Sequence, residues 1–265
     1  MKMRDRDYRN QTGYSQSDLR ILVEKCPKAF RYHLDNPQPR SSSMMLGTAV
    51  HIALLEPDKI ASEIAVTELK TRRGQAWDTF KTENLNKECI LKADEWAHVL
   101  GCVDEIRQHP LWNQCLRDNP VIEKPLFWSD PFNPNIKLKS KPDIVTDTMV
   151  IDVKTTTDLS SFHRNFFNYW YHFQASAYTR AVQQEYGGEP RQYKILAVET
   201  KGINLVKAFD IDDQVIEFGS MYWEKALSIL TWCLREDRYP DYGDQANGYI
   251  GLPEWAQKEM EAITQ

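Results

Sequence analysis

The run Val150-Ile-Asp-Val-Lys-Thr constrains this chain more than any other stretch of it. Its β-branched residues read as a strand, and successive strand side chains point to opposite faces. Ile151 and Val153 then face a core, which leaves Asp152 and Lys154 together on the other side. Upstream, Lys137-Leu-Lys-Ser-Lys-Pro-Asp-Ile-Val forms a second candidate strand that ends near Asp143. If the two strands pair as a hairpin, Asp143 and Asp152 converge on one point. Two carboxylates at a strand end make an oxygen-rich site suited to Mg²⁺, which takes few protein ligands and keeps waters for phosphate. An adjacent lysine can orient an attacking water and neutralise phosphoryl charge. Asp-x-Lys also arises in edge strands whose charges merely face solvent, so the pattern alone leaves both readings open.

The surroundings favour an α/β chain. Ser15 and Asp18 have the spacing of a capping box ahead of an apolar helix. A Pro-containing loop, 36–43, precedes a strongly apolar helix from Met44 to Leu55, interrupted by Gly47, Thr48 and His51. Residues 76–117 read as mainly helical. Three strands are expected at Glu123–Ser129, Ile136–Thr146 and Thr148–Thr155, then a long helix from Leu159 to Glu185 ending at Gly187-Gly188. A strand pair (Arg191–Glu199, Asn204–Ile211) and a final amphipathic helix (Asp213–Leu234) follow. This order predicts a mixed central sheet flanked by helices, with a helical N-terminal part. We expect one domain over 1–265: a mainly helical part (1–120) that carries His51, a catalytic core (121–236) and a C-terminal tail (237–265).

Three further positions matter only in company. Gln174 and Tyr178 are four residues apart on the expected long helix, hence on one face; they are either a polar pair beside the site or ordinary surface and core. His51 sits in an apolar helix, where a lone histidine is more often a satisfied core residue than a ligand. Glu123 opens the first expected strand, where an exposed strand end is the plain alternative.

Charge poses a problem. The chain carries 33 Lys and Arg against 38 Asp and Glu, a net charge of −5, whereas phosphate neutralisation supplies most of the affinity for DNA. Either DNA is not the partner or the positive charge is local. The five cysteines are widely spaced and odd in number, which argues against a disulfide framework or a zinc ribbon. No apolar run suggests a signal peptide or a membrane span, so a cytoplasmic protein is expected.

Taken together, these motifs resemble the exonuclease VIII (RecE) nuclease-domain family of phage and prophage recombination enzymes, within the PD-(D/E)xK superfamily. The resemblance runs from Tyr14-Ser-Gln-Ser-Asp-Leu through Gly47-Thr-Ala-Val-His-Ile-Ala-Leu-Leu-Glu-Pro-Asp and Lys141-Pro-Asp. It continues through Ile151-Asp-Val-Lys-Thr-Thr-Thr-Asp and Tyr171-His-Phe-Gln-Ala-Ser-Ala-Tyr, and closes near Leu252-Pro-Glu-Trp-Ala. It implies that His51, Asp143 and Asp152 are ligands to Mg²⁺, with Mn²⁺ as the alternative ion and the Val153 carbonyl assisting. It implies that Lys154 serves the water, that Glu123 is a further acid near the metal, and that Gln174 and Tyr178 complete the catalytic set.

The same resemblance implies a ring-shaped homotetramer around DNA, 5′-to-3′ digestion of linear duplexes, and hand-over to a single-strand annealing recombinase. Such a ring would ease the charge problem if Lys137, Lys139, Lys141, Arg72 and Arg73 lined its channel. Ser140, Lys141, Arg72 and Arg73 are the expected DNA contacts. Related phage exonucleases can carry serine where this chain has Lys141, whose ammonium could contact phosphate as a point charge instead. Two alternatives stay open: an endonuclease on the same core, and an inert DNA-binding or assembly protein.

Overall fold

The computed structural model describes residues 3–37, 42–242 and 252–263. Part of the Pro-containing loop expected at 36–43 lies outside the described residues, as does part of the 237–265 tail. The chain opens with α1 (Asp5–Arg9), α2 (Gln16–Glu24), α3 (Pro27–Asp35) and α4 (Ser42–Leu55). A 3₁₀ turn (Pro57–Lys59) and α5 (Ile60–Glu63) lead to β1 (Ile64–Thr67), α6 (Gln75–Glu83) and β2 (Cys89–Lys92). Next come α7 (Ala93–Gln108), α8 (Pro110–Arg117), β3 (Val121–Ile122), β4 (Leu126–Ser129) and β5 (Lys137–Ser140). The remainder is β6 (Ile144–Val145), β7 (Met149–Thr156), α9 (Phe162–Asn168), α10 (Tyr171–Tyr186), β8 (Gln192–Glu199), β9 (Val206–Asp210), α11 (Asp213–Glu236) and α12 (Glu254–Ile263).

The fold is α/β, with a five-stranded mixed sheet in the order β3-β6-β7-β8-β9. β7 and β8 run parallel, joined through α9 and α10, and the other neighbours are antiparallel. Both faces of this sheet are covered. Val150, Tyr193, Ile195 and Ala197 pack in one layer with α2, α10 and α11 residues such as Leu19, Phe173 and Trp223. Ile151, Val153, Leu196 and Val198 pack in the other, with α4 and α7 residues such as Val50, Ala53, Val99 and Val103. Burial on both sides explains why β7 and β8 carry near-continuous apolar runs. Among the described residues no helix is long and apolar enough to cross a membrane.

Several elements differ from the sequence expectation, for local reasons. The capping box forms: Ser15 Oγ accepts from the Asp18 N–H, and Asp18 accepts from the Ser15 N–H at 2.8 Å. The first expected strand starts late, at Leu126, behind a short extra strand, and the second is cut in two, each beside a proline, which lacks an N–H for the ladder. Pro125 separates β3 from β4, and Pro142 separates β5 from β6. As a result β4 and β5 pair in their own two-stranded sheet while β3 and β6 join the central one. The single long helix expected from Leu159 breaks into α9 and α10 at Trp170, whose φ of 61° is left-handed. β1 and β2 form a parallel pair in a region read as mainly helical.

Candidate active site

The break at Lys141-Pro142 places Asp143 just before β6, beside the middle of β7. Its Oδ2 accepts a hydrogen bond from the Val153 N–H at 2.7 Å, which ties the carboxylate to the sheet. Glu123, just past β3, donates its N–H to the Asp143 carbonyl at 2.9 Å and holds φ at 53°. A left-handed conformation at a non-glycine residue costs about 1–3 kcal/mol and persists only where its surroundings impose it. From the opposite side, α4 presents His51. Its Nε2 donates to the Val153 carbonyl at 2.9 Å, which turns Nδ1 towards Asp143 Oδ1 at 3.6 Å and Glu123 Oε1 at 3.8 Å.

His51, Glu123 and Asp143 each offer a ligand atom within 4.8 Å of the others. Asp152 and Lys154 stand on the α10-facing side of β7, as strand alternation requires, and form an ion pair. The Lys154 ammonium also lies 4.8 Å from the centre of the Tyr171 ring. Lys141 Nζ sits 2.5 Å from Glu123 Oε2 and 3.1 Å from Asp5 Oδ1.

Burial opposes every charge here, and the outcome depends on what stands next to each group. It works against the His51 imidazolium, yet the Asp143 and Glu123 carboxylates outweigh it and hold the ring up to about 10. Asp143 is likewise penalised by burial but is brought below the usual carboxylate range by His51 and Lys154. Asp152 is pushed up to about 6 by burial, with the Asp143 charge adding to it against Lys154. Burial lowers Lys154, but Asp152 overrides it and the ammonium is held above its ordinary value. Three carboxylates thus face three cationic side chains, with Asp5 on the rim.

The donor set fits a divalent cation. One imidazole nitrogen with several carboxylate oxygens suits Mg²⁺ or Mn²⁺, and no thiolate competes for a softer metal. Glu123 Oε2 and Asp152 Oδ2 are buried and met by lysine ammonium groups, which act as provisional cations.

Gln174 and Tyr178 are both buried on α10. Burial first, and then the Asp152 and Asp143 carboxylates, push the Tyr178 hydroxyl well up, with Gln174 offsetting part of this. The Val153 carbonyl is present, already accepting from His51. The expected DNA contacts scatter. Ser140 is buried under the Trp128 indole N–H, 3.4 Å away. Arg72 pairs with Glu95 at 2.6 Å and lies over Trp77. Arg73 is exposed. Lys139 donates to the Arg9 and Gln11 carbonyls at 2.8 Å each.

Four residues at or around the site were not singled out from the sequence. Tyr193 is buried on β8, its hydroxyl raised by burial and by Asp152; its place in an alternating strand was the available signal. Tyr171 is the first residue of α10, directly after the break at Trp170, and its ring supports Lys154. Asp5 and Tyr8 come from α1, and the Lys141 ammonium lies 5.8 Å from the Tyr8 ring centre; nothing local in the sequence marks either.

A family model described as "PDDEXK-like domain of unknown function (DUF3799)" matches residues 15–250. No curated protein matches the sequence. Among solved structures, a crystal structure of a protein from Eubacterium rectale, described as "Putative exonuclease", superposes with a TM-score of 0.66 over 96% of both chains, at 15% identity. An alkaline exonuclease from Laribacter hongkongensis gives a TM-score of 0.25 at 11% identity, over 51% of this chain and 71% of its own.

Proposed function

The chain belongs to the PDDEXK-like family whose model spans residues 15–250, and on that footing we propose that it is a divalent-metal-dependent exonuclease acting on the ends of linear double-stranded DNA. The observation that carries this is the convergence of His51, Glu123 and Asp143 within 4.8 Å, beside the Asp152–Lys154 pair on β7. His51, Asp143 and Asp152 would hold Mg²⁺ or Mn²⁺, with Glu123 beside them and the Val153 carbonyl in reach. Bound there, the ion supplies a water of lowered pKa and charge stabilisation for the phosphoryl group.

The protein's own groups do the rest. Lys154, fixed by Asp152 and the Tyr171 ring, orients the attacking water through an N–H donor and offsets phosphoryl charge. Lys141, paired with Glu123 and Asp5, would offer a point charge to a phosphate oxygen. Gln174 and Tyr178 line the wall from α10. Nothing in this set reads a base edge, so contacts fall on phosphate and sugar.

The resemblance to exonuclease VIII extends the proposal to 5′-to-3′ digestion, a homotetrameric ring, an annealing recombinase as partner, and a bacterial cytoplasm with phage or prophage ancestry. In that ring Lys139 is buried, Lys141 stands in the site and Arg72 is paired with Glu95. The exposed Arg73 and the exposed Lys137, whose ammonium donates to Ser129 Oγ and the Pro134 carbonyl, are then the members offered to the channel. Replacing both with alanine should flatten the dependence of DNA affinity on salt, since each phosphate contact contributes roughly 0.9 to the slope. An unchanged slope would remove them from the DNA path.

The deciding experiment incubates the protein with Mg²⁺, an end-labelled linear duplex and a covalently closed circle, with Lys154→Ala alongside. Loss of the linear duplex from its 5′ ends, an intact circle and a silent variant are expected. Cutting of the circle would turn the reading to an endonuclease. No hydrolysis of either, with DNA binding indifferent to metal, would leave a binding protein.

A further inference from the structure

Beside the site lies a surface made of rings. The chain leaves α9 and enters α10 through Trp170 in the left-handed conformation, and this turn pushes neighbouring aromatics outwards. Tyr169 is 55% exposed and Phe167 37%. Across from them on α11, Phe218 is 43% exposed. These rings are not loose. Buried Phe166 contacts Phe167 and Tyr171 edge-on, with ring centres 5.1 and 6.0 Å apart. His172 lies between Phe167 and Phe218, at 5.6 and 5.2 Å, with Trp170 stacked on it at 5.3 Å. Gly219 lets α11 approach this close, because a Cβ there would stand 2.0 Å from the His172 carbonyl oxygen.

The ledge is continuous with the site. Tyr169 meets Tyr171 at 5.8 Å, and Tyr171 is the ring against which the Lys154 ammonium rests. Two cations come from neighbouring elements: Arg20, which pairs with Glu24 at 3.0 Å and reaches the Tyr169 carbonyl at 3.4 Å, and exposed Arg164, three residues before Phe167 on α9. Rigidly backed, exposed rings next to positive charge are how proteins grip single strands without reading sequence, because every base has a stacking face. The contact of this ledge with the ring that holds Lys154, rather than its apolarity, favours nucleic acid over a protein partner.

We propose that Tyr169 and Phe167 stack on unpaired bases flanking the scissile phosphate, so that the chain engages a frayed or single-stranded end. This rests on the nuclease reading and names the state of DNA that the site takes. Stacking on aromatics contributes about 1–3 kcal/mol per base by alanine substitution, which converts to a roughly 5- to 150-fold change in affinity.

The test measures binding of the full chain, with Ca²⁺ in place of Mg²⁺, to three labelled duplexes: blunt, with a short thymidine overhang, and with an abasic overhang of equal length. The thymidine overhang should bind roughly ten-fold tighter than the abasic one. Tyr169→Ala and Phe167→Ala should erase that difference, Tyr169→Trp should keep it, and Phe132→Ala, at an exposed ring 89% accessible in the β4–β5 turn, should leave it intact. Circular dichroism checks that the alanine variants fold. Equal binding of the two overhangs, or alanine variants that retain the contrast, overturns the proposal. So does a change confined to sedimentation mass, which would make the ledge an interface between copies. Hydrolysis assayed in parallel separates the two readings: hydrolysis without the contrast sinks the ledge alone, and the contrast without hydrolysis sinks the nuclease while the ledge stands.

Discussion

His51 is engaged at both ring nitrogens. Nε2–H is committed to the Val153 carbonyl, so Nδ1 alone can answer the two carboxylates, and without a metal it answers them as a proton donor with a pKa near 10. A metal ion needs that nitrogen's lone pair. Binding Mg²⁺ or Mn²⁺ near neutral pH should therefore release about one proton per ion. Titration calorimetry in buffers of different ionisation enthalpy would show it as a buffer-dependent heat, absent in His51→Ala; a buffer-independent heat would take His51 out of the ligand set. Lys154→Ala should lower the hydrolysis rate by roughly 10²–10³-fold, the cost of losing a preorganised donor at developing charge, with little effect on the circular dichroism spectrum. The relation between Asp143, Asp152 and Lys154 was legible because strand alternation and a Pro-Asp turn are local rules. The clasp of Asp5, Lys141 and Glu123 was not, because those groups meet only after α1, β3 and the Lys141-Pro142 turn have been brought together by the whole fold.

At the scale of elements, packing overrode local preference at identifiable points. Helical periodicity continues from Leu159 to Glu185 with no proline or glycine to interrupt it, yet the chain breaks at Trp170, where aromatic burial against Tyr222 and His172 outweighs a left-handed backbone. The prolines at 125 and 142 were visible, but which sheet each fragment would join was not, since that depends on pairing partners elsewhere in the chain. The α10–α11 contact gives two predictions. Gly219→Ala must separate the helices, so denaturant unfolding should show a loss of roughly 1–3 kcal/mol or more; an unchanged midpoint would mean that the helices have slack. His172 is buried among rings, and burial lowers its pKa to about 4 from an ordinary 6.5. A depressed histidine supports the fold above pH 6.5 and loses that support as pH falls through about 4. His172→Phe should flatten the drop in Tm across that window, and an equally steep drop would show that other groups drive the acid sensitivity.

For the molecule as a whole, the site fastens one side of the sheet to the other, since His51 comes from the α4 layer and Asp152 and Lys154 face the α10 layer. A cation held there should raise global stability by about 2.7 kcal/mol at a hundred times its dissociation constant. A thermal shift with Mg²⁺ or Mn²⁺ that disappears in Asp143→Ala would bear this out, whereas the same shift in that variant would place the ion elsewhere. The mixed sheet and its covered faces were readable from the element order. The division of the core into two layers was not, because it depends on which helix returns to which face. That division has a consequence for how the molecule fails. β7 and β8 are the floor of one layer and the ceiling of the other, so neither half can melt and leave its neighbour intact. Fluorescence from Trp128 and Trp223 on one side and Trp112 on the other should change in a single transition, together with hydrolysis. Heat or denaturant would then leave no half-folded survivor with the site still assembled: a chain built this way is either whole or inactive.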